Sequence, residues 1–227
     1  MKRYTAVVLA AGSGKRMHSA VHKQYLMLSG KPVLYYALKA FEQSGVSDIV
    51  LVVGAGEIEY CRKEIVEKYG IQKISTVVEG GAERYCSVYE GLKNAVGSDY
   101  VLIHDGARPF VTKEMIQHSM NEVEQCGACV VGVPVKDTIR IVGKDKMAEG
   151  TPERSKLWQI QTPQTFDYAM ILEAYEQILK QKDATITDDA MVLELAMGRA
   201  VKIIEGSYRN IKITTPEDLL VAEAYLK

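Results

Sequence analysis

A chain of 227 residues, 47% hydrophobic and 25% charged, carries enough apolar material for one large folded domain and is neither disordered nor fibrous in composition. Its 28 basic and 29 acidic residues leave a formal net charge of −1, so it has no electrostatic footprint for nucleic acid or an anionic membrane surface. No apolar run approaches the roughly 20 residues that span a bilayer. The start, Met-Lys-Arg-Tyr and then Ala6–Ala11, is too short in its apolar part for a signal peptide and runs into Gly-Ser-Gly-Lys-Arg instead of a cleavage region, so a cytoplasmic protein is expected.

The first predicted strand, Thr5–Leu9, runs into Gly12-Ser13-Gly14-Lys15-Arg16-Met17. Glycines without a Cβ let backbone N–H groups approach phosphate oxygens, and the two cations add charge. The spacing is not that of a P-loop, which has four residues between its glycines and a hydroxyl after the lysine. Nor is it a dinucleotide fingerprint, because Met17 stands where the third glycine belongs. An ordinary strand–loop turn and a phosphate site both remain open on this segment alone. His18 and His22 have the i, i+4 spacing of a metal pair but no third ligand nearby, and they read as structural or phosphate-adjacent.

Further along, apolar runs predict strands at Ile49–Val53, Ile74–Val78, Tyr100–Ile103, Cys129–Val133 and Val201–Ile204. Helical patterns fall between and after them at Val33–Gln43, Glu57–Tyr69, Glu83–Val96, Thr112–Gln125, Tyr168–Lys180, Asp188–Met197 and Pro216–Leu226. Pro32 and Pro216 suit first helical positions, Thr215 with Asp218 resembles a capping box, and Gly70 and Gly127 read as helix stops. Alternation of this kind predicts an α/β fold: a doubly wound, mostly parallel sheet in a single domain over residues 1–227. Cys126 and Cys129 have redox spacing, yet the first closes a helix and the second opens a strand, so both read as small buried hydrophobes.

The stretch Pro134–Lys156 breaks the alternation, with Pro134, Gly143, Gly150 and Pro152 around the strand-like Thr138–Val142. It is too polar for a core unit, and a β-arm reaching over the sheet or onto another subunit is expected in preference to a loop.

Ligands of open α/β sheets collect beyond the carboxyl ends of the strands. Five groups are predicted to meet there: Gly12–Arg16 with Lys23; Gly80-Gly81-Ala82-Glu83-Arg84 with Ser87; His104-Asp105-Gly106-Ala107-Arg108-Pro109; Thr187-Asp188-Asp189; and Asn210-Ile211-Lys212-Ile213-Thr214. Each has a plain structural reading, as a turn, a surface pair or, for Thr187 with Asp188, an N-cap and a first-turn acid. Together they make an inventory for handling phosphate, with a carboxylate suited to Mg²⁺.

These segments, with Lys23-Gln24-Tyr25, Pro134-Val135-Lys136-Asp137-Thr138 and Thr162-Pro163-Gln164, occur in an order that resembles the 2-C-methyl-D-erythritol 4-phosphate cytidylyltransferases of non-mevalonate isoprenoid biosynthesis, over nearly the full length. The resemblance implies the nucleotidyltransferase, Rossmann-like version of the fold, with residues 134–156 as a dimerisation arm of a homodimer. It implies in-line attack of the methylerythritol phosphate on the α-phosphorus of CTP, with Mg²⁺ (or another divalent cation) as cofactor and pyrophosphate leaving. By resemblance the catalytic residues are Arg16, Lys23, Arg154 and Lys212. CTP is bound by Ala10, Ala11, Gly12, Ser13, Gly14, Gly81, Ala82, Ser87, Asp105 and Gly106, and Asp105 orients the metal directly or through water. The acceptor is bound by Arg108, Thr138, Arg154, Thr162, Thr187 and Lys212. Two positions depart from the family pattern: His22 stands where proline is usual, and Ala82 where aspartate is frequent. The rival readings are a ribitol 5-phosphate cytidylyltransferase, disfavoured by the acceptor half, and a non-catalytic nucleotide-binding regulator, disfavoured by the presence of Arg16, Lys23, Arg154 and Lys212.

Overall fold

A computed structural model describes residues 2–12, 14, 17, 21–180 and 185–227. The expected strands form: β1 (Tyr4–Ala10), β4 (Asp48–Val53), β5 (Ile74–Glu79), β6 (Tyr100–Asp105), β7 (Ala128–Pro134) and β11 (Lys202–Glu205). They are joined by β10 (Trp158–Asp167), which the apolar pattern does not predict, in a seven-stranded sheet of order β11-β7-β10-β6-β1-β4-β5. Every neighbouring pair is parallel except those of β10, which runs antiparallel to both β6 and β7. Periodicity misses β10 because Gln161, Thr162, Gln164 and Thr165 interrupt its apolar run. All four are nevertheless buried; Gln161 donates to the Ser207 carbonyl, Thr162 Oγ1 accepts from Asp105 N–H, and Gln164 donates to Asp188.

The helices are α1 (Val33–Glu42), α2 (Ile58–Cys61), α3 (Arg84–Lys93), α4 (Lys113–Cys126), α5 (Tyr168–Ile178), α6 (Asp189–Met197) and α7 (Pro216–Tyr225). The stretch expected as one helix from Glu57 widens after Cys61 into a π-helix over Arg62–Glu67, with Lys68 N–H donating five residues back to the Lys63 carbonyl at 3.2 Å. Side chains alternate between the two faces of the sheet, as two-sided burial requires. Ala6, Val8, Ile49 and Leu51 pack with Leu38 and Phe41 of α1 and Ile116 of α4, while Val7, Val50 and Val52 pack with Val88 of α3, Tyr175 of α5 and Leu193 of α6.

End signals hold with two shifts. Pro216 is the first helical residue of α7, and the Asp218 carboxylate accepts the N–H groups of Thr214 and Thr215 at 2.8 and 2.9 Å. Pro32 precedes α1 by one residue, because it belongs to the small hairpin of β2 (Met27–Leu28) and β3 (Lys31–Pro32). Asp188, not Thr187, caps α6 by accepting from Met191 N–H at 3.0 Å, which makes Asp189 the first-turn acid. Cys126 ends α4 and is only half-buried, short of the burial expected, while Cys129 is fully buried with a free thiol that burial pushes well up, as expected of a packing residue.

Beyond Pro134, which ends β7 opposite Trp158, the 134–156 stretch pairs only β8 (Ile141–Val142) with β9 (Ala148–Gly150), so the strand expected from Thr138 starts three residues later. Ile141, Val142 and Met147 on this hairpin are exposed by 53%, 53% and 67%, which leaves these apolar side chains without cover in one chain. Among the described residues no helix is long and apolar enough to cross a membrane.

Candidate active site

The carboxyl ends of β1, β5 and β6 open into a cavity of about 310 Å³, lined by Ala11 and Gly12, Lys23, Gly81 to Arg84, Ser87, Asp105 and Lys212. A second cavity of about 300 Å³ adjoins it, lined by Arg84, Asp105, Arg108, Thr162, Gln164, Thr187, Asp188 and Lys212. Arg84, Asp105 and Lys212 therefore form the wall between the two.

Two glycines let the first cavity close up. Gly14 has a φ of +62°, a conformation L side chains avoid, and lies so near Lys23 that a Cβ would sit 3.3 Å from the lysine Cβ, Cγ and backbone nitrogen. Gly80, just past β5, brings its strand against the turn after β1; a Cβ there would lie 2.6 Å from Ser87 Oγ and 2.7 Å from Ala11 Cβ. The Ser87 hydroxyl lies 3.1 Å from the Glu83 carbonyl and 3.3 Å from that of Gly81, so its proton goes to backbone and its lone pairs are left to accept.

Asp105 is the electrostatic centre. Its carboxylate meets Lys212 Nζ at 2.8 Å, Arg84 Nε at 3.3 Å and Arg108 Nε at 3.7 Å. Burial pushes the Asp105 carboxyl up, but the three cations outweigh it and hold the group well below the usual carboxylate range. A buried carboxylate is thus kept ionised at the shared wall.

Both arginines are themselves fixed. Arg84 makes a bidentate pair with the fully buried Asp189 at 2.9 and 2.8 Å, and Asp189 accepts from Tyr175 OH at 2.5 Å. Gln164 Oε1 accepts the N–H groups of Asp189 and Ala190, and its amide donates to Asp188 at 3.0 Å. Arg108 donates to the Asn210 carbonyl at 2.8 Å, and buried Asn210 in turn donates to the Thr162 carbonyl at 2.9 Å.

His104 sits beneath this set, fully buried. The Asp105 N–H donates to Thr162 Oγ1 at 3.1 Å, and Thr162 Oγ1 lies 2.9 Å from His104 Nδ1. His104 Nε2 is 3.2 Å from the Arg108 carbonyl, which can only accept, so the ring proton is on Nε2 and Nδ1 accepts from Thr162. Burial lowers the His104 pKa to about 4, with Asp105 pulling the other way, and the ring is neutral at pH 7.

Of the residues expected from the sequence, Ala11, Gly12, Lys23, Gly81, Ala82, Ser87, Asp105 and Lys212 line the first cavity, and Arg108, Thr162 and Thr187 line the second. Ala10, Gly14 and Gly106 lie beside them in the backbone; the Gly106 N–H donates to the Leu9 carbonyl at 2.8 Å. Ser13 and Arg16 lie outside the described residues, as do Lys15 and His18. Thr138 and Arg154 line neither cavity: both are exposed on the hairpin stretch, where Arg154 donates to the Lys136 carbonyl at 3.2 Å. Arg84, His104, Gln164, Tyr175 and Asp189 were given no role by sequence reasoning. Four of them stand inside or beside the quoted motifs, but their spacing carries no signal of the pairings they make.

The family model for 2-C-methyl-D-erythritol 4-phosphate cytidylyltransferase (IspD) matches residues 4–227. A relative of that description from Lachnoclostridium phytofermentans is 52% identical over 227 residues, spanning 100% of this chain and 97% of its own. Another, from Alkaliphilus oremlandii, is 53% identical over 230 residues, spanning 100% and 96%. The crystal structure of 4-diphosphocytidyl-2C-methyl-D-erythritol synthase from Anaerococcus prevotii superposes with a TM-score of 0.86 at 36% identity, covering 99% of this chain and 96% of that one. With the match unbroken from β1 to α7, the chain belongs to the 2-C-methyl-D-erythritol 4-phosphate cytidylyltransferase family of nucleotidyltransferases.

Proposed function

We propose that the two cavities hold the two substrates of one transfer: CTP in the first and 2-C-methyl-D-erythritol 4-phosphate in the second, giving 4-diphosphocytidyl-2-C-methyl-D-erythritol and pyrophosphate. The observation that carries this reading is the shared wall of Arg84, Asp105 and Lys212, which is where an attacking phosphate and an α-phosphorus would meet. No nucleophilic side chain is needed. The work is to hold two polyanions in line and to neutralise charge that grows on the α-phosphoryl oxygens and the leaving group. In this reading Lys23 and Arg16 bind that growing charge, and the backbone from Ala10 to Gly14 wraps the triphosphate. Lys212 and Arg108, with the Thr162 and Thr187 hydroxyls, steer the attacking phosphate. Ser87 lone pairs and the Gly81–Ala82 backbone read the base; an acceptor there suits the cytosine amino group and repels the uracil carbonyl.

Mg²⁺ fits this donor set through Asp105, a carboxylate held ionised beside the place where the triphosphate lies. Among the described residues no three or more His, Cys, Asp or Glu side chains cluster around one point, so the ion would be held chiefly by phosphate oxygens, as Mg²⁺ usually is. When bound it supplies charge neutralisation across those oxygens. Lys212, whose side chain is 35% exposed, would leave Asp105 Oδ2 for the substrate phosphate.

Residues 1–227 act in this reading as one nucleotidyltransferase domain, cytoplasmic, with 134–156 as the clasp of a homodimer. Exposed Ile141, Val142 and Met147 would be covered by a second subunit, and Thr138 and Arg154 would reach that subunit's acceptor cavity. The test is pyrophosphate release with CTP, ATP, GTP or UTP, each paired with methylerythritol phosphate or ribitol 5-phosphate in Mg²⁺. Fastest turnover is expected with CTP and methylerythritol phosphate. Faster turnover with ribitol 5-phosphate, or with UTP, would overturn the assignment.

A further inference from the structure

Lys23 belongs to a single 3-10 turn, Lys23–Tyr25, whose own backbone bonds are few: Tyr25 N–H to the His22 carbonyl at 2.9 Å and Leu26 N–H to the Lys23 carbonyl at 3.3 Å. So short a turn does not fix its own orientation. Side chains on either side of the lysine do this instead. Gln24 donates to the Ala10 carbonyl at 2.5 Å and ties the turn to the end of β1. One hydrogen bond sets a distance but leaves the turn free to swivel about it.

A further restraint converges on one carboxylate outside the cleft. Glu57 Oε1 lies 2.6 Å from His22 Nδ1, and Glu57 Oε2 accepts from Tyr25 OH at 2.8 Å. Glu57 is held in turn by the Gly54 N–H at 3.0 Å, just past β4. The Tyr25 ring is wedged edge-on against Tyr60, with centroids 5.1 Å apart, and its hydroxyl also lies 3.0 Å from Cys61 Sγ. Glu57 lines neither substrate cavity. It grips the residue before Lys23 and the residue two after it, while the lysine between them lies against Gly14.

We infer that Glu57 is a positioning residue for Lys23, holding His22 and Tyr25 so that the lysine stays over the glycine turn; the inference rests on the proposed role of Lys23. A displacement of about 1 Å in a charge-stabilising group lowers turnover by as much as 100-fold. Glu57→Gln keeps the shape but removes the negative charge beside His22 and one of the two carboxylate oxygens that face the turn, which weakens the hold on it.

The experiment is a kinetic cycle on the full chain with CTP and methylerythritol phosphate: wild type, Glu57→Gln, Lys23→Ala and the double variant, each checked for folding by thermal melting. Glu57→Gln should lower kcat about tenfold or more, with KM for CTP moving much less. In the Lys23→Ala background it should change kcat no further, because the group it positions is gone. The same fold-loss in both backgrounds would assign Glu57 a general structural role and overturn the inference. So would wild-type kcat in Glu57→Gln beside an impaired Lys23→Ala. Wild-type kcat in Lys23→Ala would overturn the proposed role of Lys23, and the inference with it. Should Glu57→Gln not fold, His22→Ala and Tyr25→Phe each remove one grip, and the same cycle is read with them.

Discussion

Below pH 6.5, His104 should make this protein lose stability in a way that can be calculated. The ring is fully buried among Phe41, Thr162 and the Arg108 backbone, and burial lowers its pKa from 6.5 to about 4. Because the folded value is the lower one, the unfolded chain takes up a proton first as pH falls. Stability is therefore complete above about pH 6.5, is lost between 6.5 and 4, and levels off once the folded state also protonates. With those two values, the loss between pH 7 and pH 5 from this one group is about 2 kcal/mol. Urea unfolding at pH 7 and pH 5, at one protein concentration, should show that loss in the wild type on top of whatever the other histidines add. His104→Gln removes the titration while keeping a polar side chain, and its drop between the two pH values should be smaller than the wild type's by about 2 kcal/mol, whatever its own stability. Equal drops, within about 0.5 kcal/mol, would mean that the ring is hydrated or already charged in the folded state, and the neutral-histidine description of the site would be wrong.

Asp105→Asn should destabilise the fold by about 3 kcal/mol at pH 7, because it leaves Arg84, Arg108 and Lys212 facing one another; the low end is expected since Arg84 keeps Asp189 and Lys212 can turn to water. Denaturant unfolding measures this, and turnover should be nearly abolished. Gly80→Ala must push Ser87 and Ala11 apart, so melting should show a loss of about 1–3 kcal/mol and kinetics a raised KM for CTP. A wild-type KM would mean the β5 end does not shape the nucleotide cavity. If the arm completes a neighbour's site, Arg154→Ala and Lys23→Ala chains should each be nearly inactive alone and regain activity when reassociated as mixed dimers. No recovery in verified mixed dimers would show that Arg154 serves its own chain.

Local sequence determined the α/β alternation, five of the seven sheet strands nearly to the residue, the glycine turn after β1 and the motifs that line both cavities. These are short-range properties: a continuous apolar run is a strand buried on both faces, and a glycine pair after it is a turn whatever lies around it. Only the tertiary structure decided that a polar segment, Trp158–Asp167, enters the sheet antiparallel between β6 and β7. That insertion puts Thr162 beside His104 and Gln164 beside Asp189, contacts 58 and 25 positions apart in the chain. Arg84 and Asp189, 105 positions apart, meet for the same reason. A buried polar side chain must find a partner, but sheet order and not spacing along the chain determines which one is within reach.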